Sequence, residues 1–259
     1  MSIPKIRIAE SFVSLQGEGA RLGYISLFVR LAGCNLRCGH YEGSKWKCDT
    51  YDIMNNVTFS GYASDYAKQL LLEHPWFFEQ AALGYPVGIV FTGGEPLLQQ
   101  AGIAALLKEL ESLSTPVGTV ELETNGTMPL SHPELLDALK DMELVINCSP
   151  KLSSSGIPKA ERKVLSALSS LAEATEFNRF WTLSFKFVVA NESDVIEVLE
   201  EYCDQIVKCD RYSIILMPAA ATREQLVEKT REIWPLAQQA GLRMSTRLQI
   251  LAYDKRAGV

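Results

Sequence analysis

With 259 residues, the chain is long enough for one large α/β domain or two small ones. Its 25 Lys+Arg against 31 Asp+Glu leave a net charge of −6, without the basic surplus that gripping duplex phosphates demands, so nucleic acid is not expected as a partner. Hydrophobic residues at 47% and charged residues at 22% exclude a disordered or fibrous chain.

No apolar run approaches the roughly 20 residues of a membrane-crossing helix, and Met1-Ser2-Ile3-Pro4-Lys5 leads into no signal-type stretch. A cytoplasmic protein without membrane contact is expected. From Tyr85 onward, apolar runs of strand length alternate with helical patterns, the mark of βα units feeding a mainly parallel sheet. The pattern predicts strands at Ile25–Leu31, Gly88–Phe91, Thr119–Glu123, Leu144–Cys148, Leu183–Val189 and Ser213–Met217. It predicts helices at Ala63–Glu73, Leu97–Ser112, His132–Lys140, Pro158–Ala172, Asp194–Cys203 and Arg223–Ala240, the third supported by a capping box of Ser131 and Glu134. Right-handed crossovers curl this order into an open, incomplete barrel within a single domain, 1–259. Only Leu152-Ser153-Ser154-Ser155-Gly156 reads as a flexible loop.

In such a barrel, chemistry collects where the strands end. Gly33-Cys34-Asn35, Thr92-Gly93-Gly94-Glu95-Pro96, Thr124-Asn125-Gly126 and Ser149-Pro150-Lys151 each follow a predicted strand. Six cysteines in a reducing compartment read as ligands or core residues rather than a disulfide framework. Cys34-x3-Cys38-x9-Cys48 sets three thiols on one loop. A structural zinc closes with a fourth ligand, here His40, whereas an iron-sulfur cube held by three thiolates keeps one iron free. The spacing leaves both open, together with three unrelated thiols.

Gly93-Gly94 removes two Cβ atoms, so backbone can approach a ligand closely, or the segment is an ordinary turn with a helix-starting proline. Ser14-Leu15-Gln16-Gly17-Glu18-Gly19 reads as a polar loop or hairpin. Arg30 lies in an otherwise apolar strand, where a charge demands an anion, either a protein carboxylate or a substrate one.

Together these residues resemble the radical S-adenosylmethionine superfamily. Leu15-Gln16-Gly17-Glu18-Gly19, Cys48-Asp49-Thr50, Glu123-Thr124-Asn125-Gly126-Thr127 and Ser149-Pro150-Lys151 narrow the resemblance to the 7-carboxy-7-deazaguanine synthases, over nearly the whole chain from Ile8 to Arg247-Leu248-Gln249. The resemblance implies an open partial (β/α)6 barrel with a cysteine loop lengthened at 39–47. It implies a carbon–nitrogen lyase that converts 6-carboxy-5,6,7,8-tetrahydropterin to 7-carboxy-7-deazaguanine with loss of ammonia, in queuosine and deazapurine biosynthesis. Cys34, Cys38 and Cys48 would hold a [4Fe-4S] cluster. Gly94, Glu95, Ser149, Pro150 and Lys151 would bind S-adenosylmethionine. Leu15, Gln16, Gly17, Arg30 and Thr92 would bind the pterin, and Thr50 a magnesium ion, a hard cation suited to oxygen. An unidentified electron donor and a homodimer belong to the same expectation.

The chain departs from the family's C-x3-C-x2-C spacing by seven extra residues, and the Gly39–Lys47 segment is polar enough to bulge outward. Lys47 stands where an aromatic residue near the adenine is usual, with Trp46 one residue earlier, and Gln249 stands where a substrate-contacting histidine is usual. No catalytic side chain is assigned beyond the cluster ligands, and Cys148, Cys203 and Cys209 read as small core residues. Competing readings are a glycyl-radical-activating enzyme sharing the cluster and Gly94-Glu95, a zinc-dependent protein using the same cysteines with His40, and a tRNA-interacting protein, which the net charge disfavours.

Overall fold

The computed structural model describes residues 4–113, 117–176, 178–203, 205–206 and 210–256. Nine strands form one sheet: β1 (Lys5–Leu15), β2 (Ile25–Leu31), β3 (Phe59–Tyr62), β4 (Gly88–Gly93), β5 (Thr119–Thr124), β6 (Glu143–Cys148), β7 (Trp181–Val189), β8 (Ile214–Pro218) and β9 (Arg243–Met244). Their order is β3-β1-β2-β4-β5-β6-β7-β8-β9. From β2 to β9 all pairings are parallel, while β1 runs antiparallel to both β2 and β3. The α/β class and the six predicted strands are therefore found, each with its end displaced by at most two residues. The chain adds β1, β3 and the short β9.

The helices are α1 (Tyr51–Asn55), α2 (Ala63–Glu73), α3 (Pro75–Ala82), α4 (Gln100–Ser112), α5 (Pro133–Leu139), α6 (Lys159–Arg162), α7 (Leu165–Glu176), α8 (Glu192–Val198), α9 (Arg223–Ala240) and α10 (Leu248–Tyr253). α2 and α9 have the predicted bounds. α9 is capped by the Thr222 hydroxyl, which accepts from Gln225 N at 3.2 Å, and it ends at the left-handed Gly241.

Four local expectations are corrected. The capping box at Ser131 does not form: the Gln100 side-chain oxygen accepts from both Ser131 N and His132 N at 3.0 Å, so α5 is capped from outside. The predicted Pro158–Ala172 helix is broken into α6 and α7. There Arg162 turns inward to an ion pair with Glu197 at 2.7 Å and a hydrogen bond to Lys151 O at 3.2 Å. The helix predicted from Asp194 starts at Glu192 on an Asn191 cap and widens at Leu199–Cys203 into a π turn. The Ser153–Ser155 stretch is a tight 3-10 turn with Ser154 and Ser155 buried, rather than an open loop.

The core lies between the sheet and its helices, built from the buried faces of β2 and β4–β8 with α2, α4 and α9. Cys148 is fully buried in it, and Cys203 packs half-buried against it from the π turn. Cys209 lies outside the described residues. Among the described residues, no helix is long and apolar enough to cross a membrane.

Candidate functional site

Because β2 and β4–β8 run parallel, their C-terminal ends face the same way and the loops that follow them meet around one cavity of about 1060 Å³. The four distinctive segments singled out in the sequence all reach it.

The loop after β2 brings Cys34, Cys38 and Cys48 to the cavity wall. Leu36, Cys38 and Ile157 form a small buried apolar cluster, against which Cys34, Cys48 and Trp46 pack. Cys34 Sγ accepts from Leu36 N at 3.4 Å and from Asn125 Nδ2 at 3.7 Å. Burial pushes the Cys38 thiol up to about 11 and raises that of Cys34, so as free thiols both stay protonated. This donor set suits an iron-sulfur cube: soft sulfurs share one apolar pocket, with N–H groups directed at sulfur. It suits a single zinc poorly. His40 is exposed, rests its ring on Tyr51 with centroids 3.8 Å apart, and is absent from the cavity wall.

The lengthened loop exposes its tip at Tyr41, Glu42 and Gly43 and is tied down on either side of it. Gly39 N donates to Ser155 O at 3.0 Å, Lys45 N to Ser154 O at 2.8 Å and Trp46 Nε1 to Ser154 Oγ at 3.2 Å. The insertion is thus docked on the 3-10 turn, and it carries Trp46 into the cavity wall beside Lys151, whose ammonium lies 6.0 Å from the ring centre.

Gly94 is required by its neighbour: a Cβ there would lie 1.7 Å from Gly33 O. Gly94 N donates to Leu31 O at 2.8 Å and Glu95 N to Gly33 O at 2.9 Å, locking the β4 turn onto the start of the cysteine loop. The Glu95 side chain has partners within the protein. It is fully buried, outside the cavity wall, and accepts from Leu97 N (2.9 Å), Thr124 Oγ1 (2.8 Å) and Asn125 N (2.7 Å). Burial raises its carboxyl, and these bonds partly offset that. Its work is to join the ends of β4 and β5. Pro150 is also buried outside the wall, while its neighbours Ser149 and Lys151 line it, with Lys151 Nζ donating to Ser149 Oγ at 3.0 Å.

Toward the β1–β2 hairpin and the neighbouring β4, Leu15, Gln16, Gly17, Arg30 and Thr92 all line the cavity. The segment from Ser14 is the turn of the β1–β2 hairpin, closed by Gln16 N donating to Tyr24 O at 2.7 Å. Arg30 meets a protein carboxylate, Glu10, directly across the hairpin at 2.9 Å, and stacks over Phe12. Thr50 also lines the cavity, its hydroxyl donating to Gly93 O at 3.1 Å.

Sequence reading missed the charges beneath this side. Glu123 accepts from Thr92 Oγ1 at 2.6 Å and pairs with Lys186 at 3.6 Å, while Lys186 also pairs with Glu18 at 3.5 Å. Glu121, two residues before Glu123, accepts from Gln16 and Asn147. Charged residues at alternate positions of a strand that is otherwise core were the available signal. The C-terminal segment closes the wall: Leu248 N donates to Gly17 O at 2.8 Å, and Gln249 lines the cavity with its buried Oε1 lacking a hydrogen-bond partner.

Arg247 ties three loops together, pairing with Asp49 beside Cys48, approaching Glu18 at 3.8 Å and donating to Ala220 O at 2.9 Å. Loops crowding around the exposed Asp49 carboxyl oppose its ionisation, and the cations Arg247, Arg30 and Lys151 outweigh them, holding it below its usual range. A lowered acid stabilises the fold above the ordinary aspartate pKa and loses that contribution as pH falls through the folded value. Because Asp49 is exposed, Asp49→Asn is expected to cost less than about 1 kcal/mol. Arg247→Met, which strips a partner from Glu18 as well, is expected to cost about 2 kcal/mol, both read from urea midpoints.

Comparison with known proteins agrees with this site. A family model described as a 4Fe-4S single cluster domain matches residues 15–154, more than half of the chain and the span that holds all three loop cysteines. The protein is an iron-sulfur enzyme of the radical S-adenosylmethionine class. The 7-carboxy-7-deazaguanine synthase of Pyrobaculum aerophilum is 38% identical over 98% of both chains, and that of Hyperthermus butylicus is 36% identical over 95% of this chain and 92% of the relative. The crystal structure of QueE from Escherichia coli shares the fold, with a TM-score of 0.58 and 21% identity over 94% of each chain. The chain belongs to the 7-carboxy-7-deazaguanine synthase family; it is a lyase with a [4Fe-4S] cluster and S-adenosylmethionine as cofactors.

Proposed function

We propose that the chain converts 6-carboxy-5,6,7,8-tetrahydropterin to 7-carboxy-7-deazaguanine, on the path to queuosine-type deazapurines, and that it does so as a single domain curled into an open partial barrel. The observation that carries this reading is the meeting, in one cavity, of a three-cysteine loop with a set of polar and charged side chains. In it Cys34, Cys38 and Cys48 hold the cluster, and the Gly94 backbone, Ser149 and Lys151 receive the cofactor. When bound, the cluster and S-adenosylmethionine supply the one-electron chemistry that removes a hydrogen atom from the pterin.

The chain's own residues position the substrate. The Arg30 guanidinium is held between Glu10 and Phe12, and its remaining N–H groups receive the substrate carboxylate. Glu123 faces the aminopyrimidine edge from a position fixed by Thr92 and Lys186, and the free Gln249 oxygen accepts a further N–H. Thr50 donates its own proton to Gly93 O, so its lone pairs are left for magnesium. Enclosure by the C-terminal segment keeps water from the reacting carbon. An external one-electron donor, a homodimer and residence in the cytoplasm complete the reading.

The test is an anaerobic assay of the reconstituted protein with the carboxypterin, S-adenosylmethionine and magnesium, followed by mass analysis. Deazaguanine carboxylate and ammonia are the expected products. Cleavage of S-adenosylmethionine without them would reject the substrate.

A further inference from the structure

Glu121 is only 1% exposed. It projects from the same face of β5 as Glu123, and the Gln16 amide nitrogen lies between the two carboxyls, donating to Glu121 Oε1 and standing 3.4 Å from Glu123 Oε1. Glu121 Oε1 also accepts from Asn147 Nδ2 at 2.6 Å, and its Oε2 is buried without a hydrogen-bond partner. The charged groups facing it are Glu123 from β5 itself and Lys186 from β7, with Glu18 and Arg247 beyond Lys186. Thr92 on β4 and Asn147 on β6 present only neutral groups to the pair. Lys186 gives its ammonium to Glu18 and Glu123, and among the described residues no Lys, Arg or His nitrogen comes within 4.0 Å of Glu121.

A second carboxylate at this point would be a buried anion beside another anion, with one oxygen unsolvated. A neutral acid removes the buried charge and its repulsion by Glu123, leaving only an uncharged hydroxyl at Oε2, and still accepts both amides on its carbonyl oxygen. We propose that Glu121 works as a protonated carboxylic acid, a positioning residue that holds Gln16 and Asn147 beneath the substrate pocket, and that loss of its proton loosens substrate binding. With Nε2 drawn to Glu121, the Gln16 Oε1 is left to accept from Glu18 N at 3.3 Å, so one side chain fixes the hairpin turn and the cavity floor together. An ionised Glu121 would compete for Lys186 and pull it from Glu18 and Glu123. Burial, with repulsion from Glu123, pushes the carboxyl up to about 8 against the weaker pull of Lys186, Asn147 and Gln16.

The pterin part of this inference rests on the proposed function; the protonation part does not. Infrared difference spectra of the full-length protein, with and without labelled glutamate, are expected to show the stretch of a protonated carboxyl at neutral pH, fading with a midpoint of about 8 and missing in E121Q. Binding of 6-carboxy-5,6,7,8-tetrahydropterin to the anaerobic, cluster-loaded protein is expected to weaken about tenfold between pH of roughly 7 and 9.5 in the wild type. E121Q, which mimics the neutral acid, is expected to bind with wild-type affinity and no such pH dependence, and E121A to bind about tenfold more weakly throughout. No protonated carboxyl in the wild type, or a pH limb that survives in E121Q with the same midpoint, would overturn the proposal. A wild type that shows the carboxyl band yet binds no pterin at any pH overturns the substrate reading and leaves Glu121 a neutral acid.

Discussion

Cys48→Ala is expected to purify without its iron-sulfur chromophore after anaerobic reconstitution and to form no product. A cube held by two thiolates has lost a third of its protein ligands, and the remaining sulfurs cannot close that corner. Cys203→Ala, at a half-buried position in the π turn and outside the cavity wall, is expected to keep both iron content and turnover, with stability lowered by about 1 kcal/mol. Iron and sulfide analysis beside the visible spectrum reads the comparison directly. Full turnover in Cys48→Ala would remove this cysteine from the ligand set.

Gly94→Ala is expected to be nearly as damaging, for a reason that involves no ligand. The new methyl carbon would fall 1.7 Å from Gly33 O and 2.4 Å from its carbonyl carbon, both backbone atoms that cannot rotate away. Either the β4 turn or the cysteine loop must move, breaking the hydrogen bonds from Gly94 N to Leu31 O and from Glu95 N to Gly33 O. Overpacking of this kind costs about 1–3 kcal/mol, and two lost backbone bonds add about 1–3 more. The variant is expected to show a lowered denaturation midpoint together with poor cluster retention. Gly43→Ala is the control: Gly43 has a positive φ, 83°, which Gly94 does not, but its added methyl meets nothing within 4 Å, so only backbone strain is introduced and the cluster should load.

Much of the parallel half was legible because buried parallel strands are short apolar runs, and those runs coincide with β2 and β4–β8. The motifs at their ends were legible for the same reason, since the periodicity told which residues begin each loop. β1 was hidden: Lys5, Arg7, Glu10 and the serines alternate with its apolar residues, and as the partner of a hairpin it is half-buried rather than apolar throughout. The glycine-rich turn around Glu95 suggests a ligand and gives no sign of the bonds its carboxylate accepts from the helix start and the end of β5, which come from the fold. The ionic floor of the cavity depends on residues from β5, β7, the hairpin turn and the last loop, separations that no local pattern encodes.

The docking of Leu248 on Gly17 joins two segments that stand 231 residues apart along the chain. The hairpin turn and the strap that walls it in lie towards opposite ends of the strand order, so they meet only across the curl of the whole sheet between them. Contacts over so long a separation carry a large loop-closure entropy. The roof over the thiols is therefore expected to be among the later parts of the cavity to close.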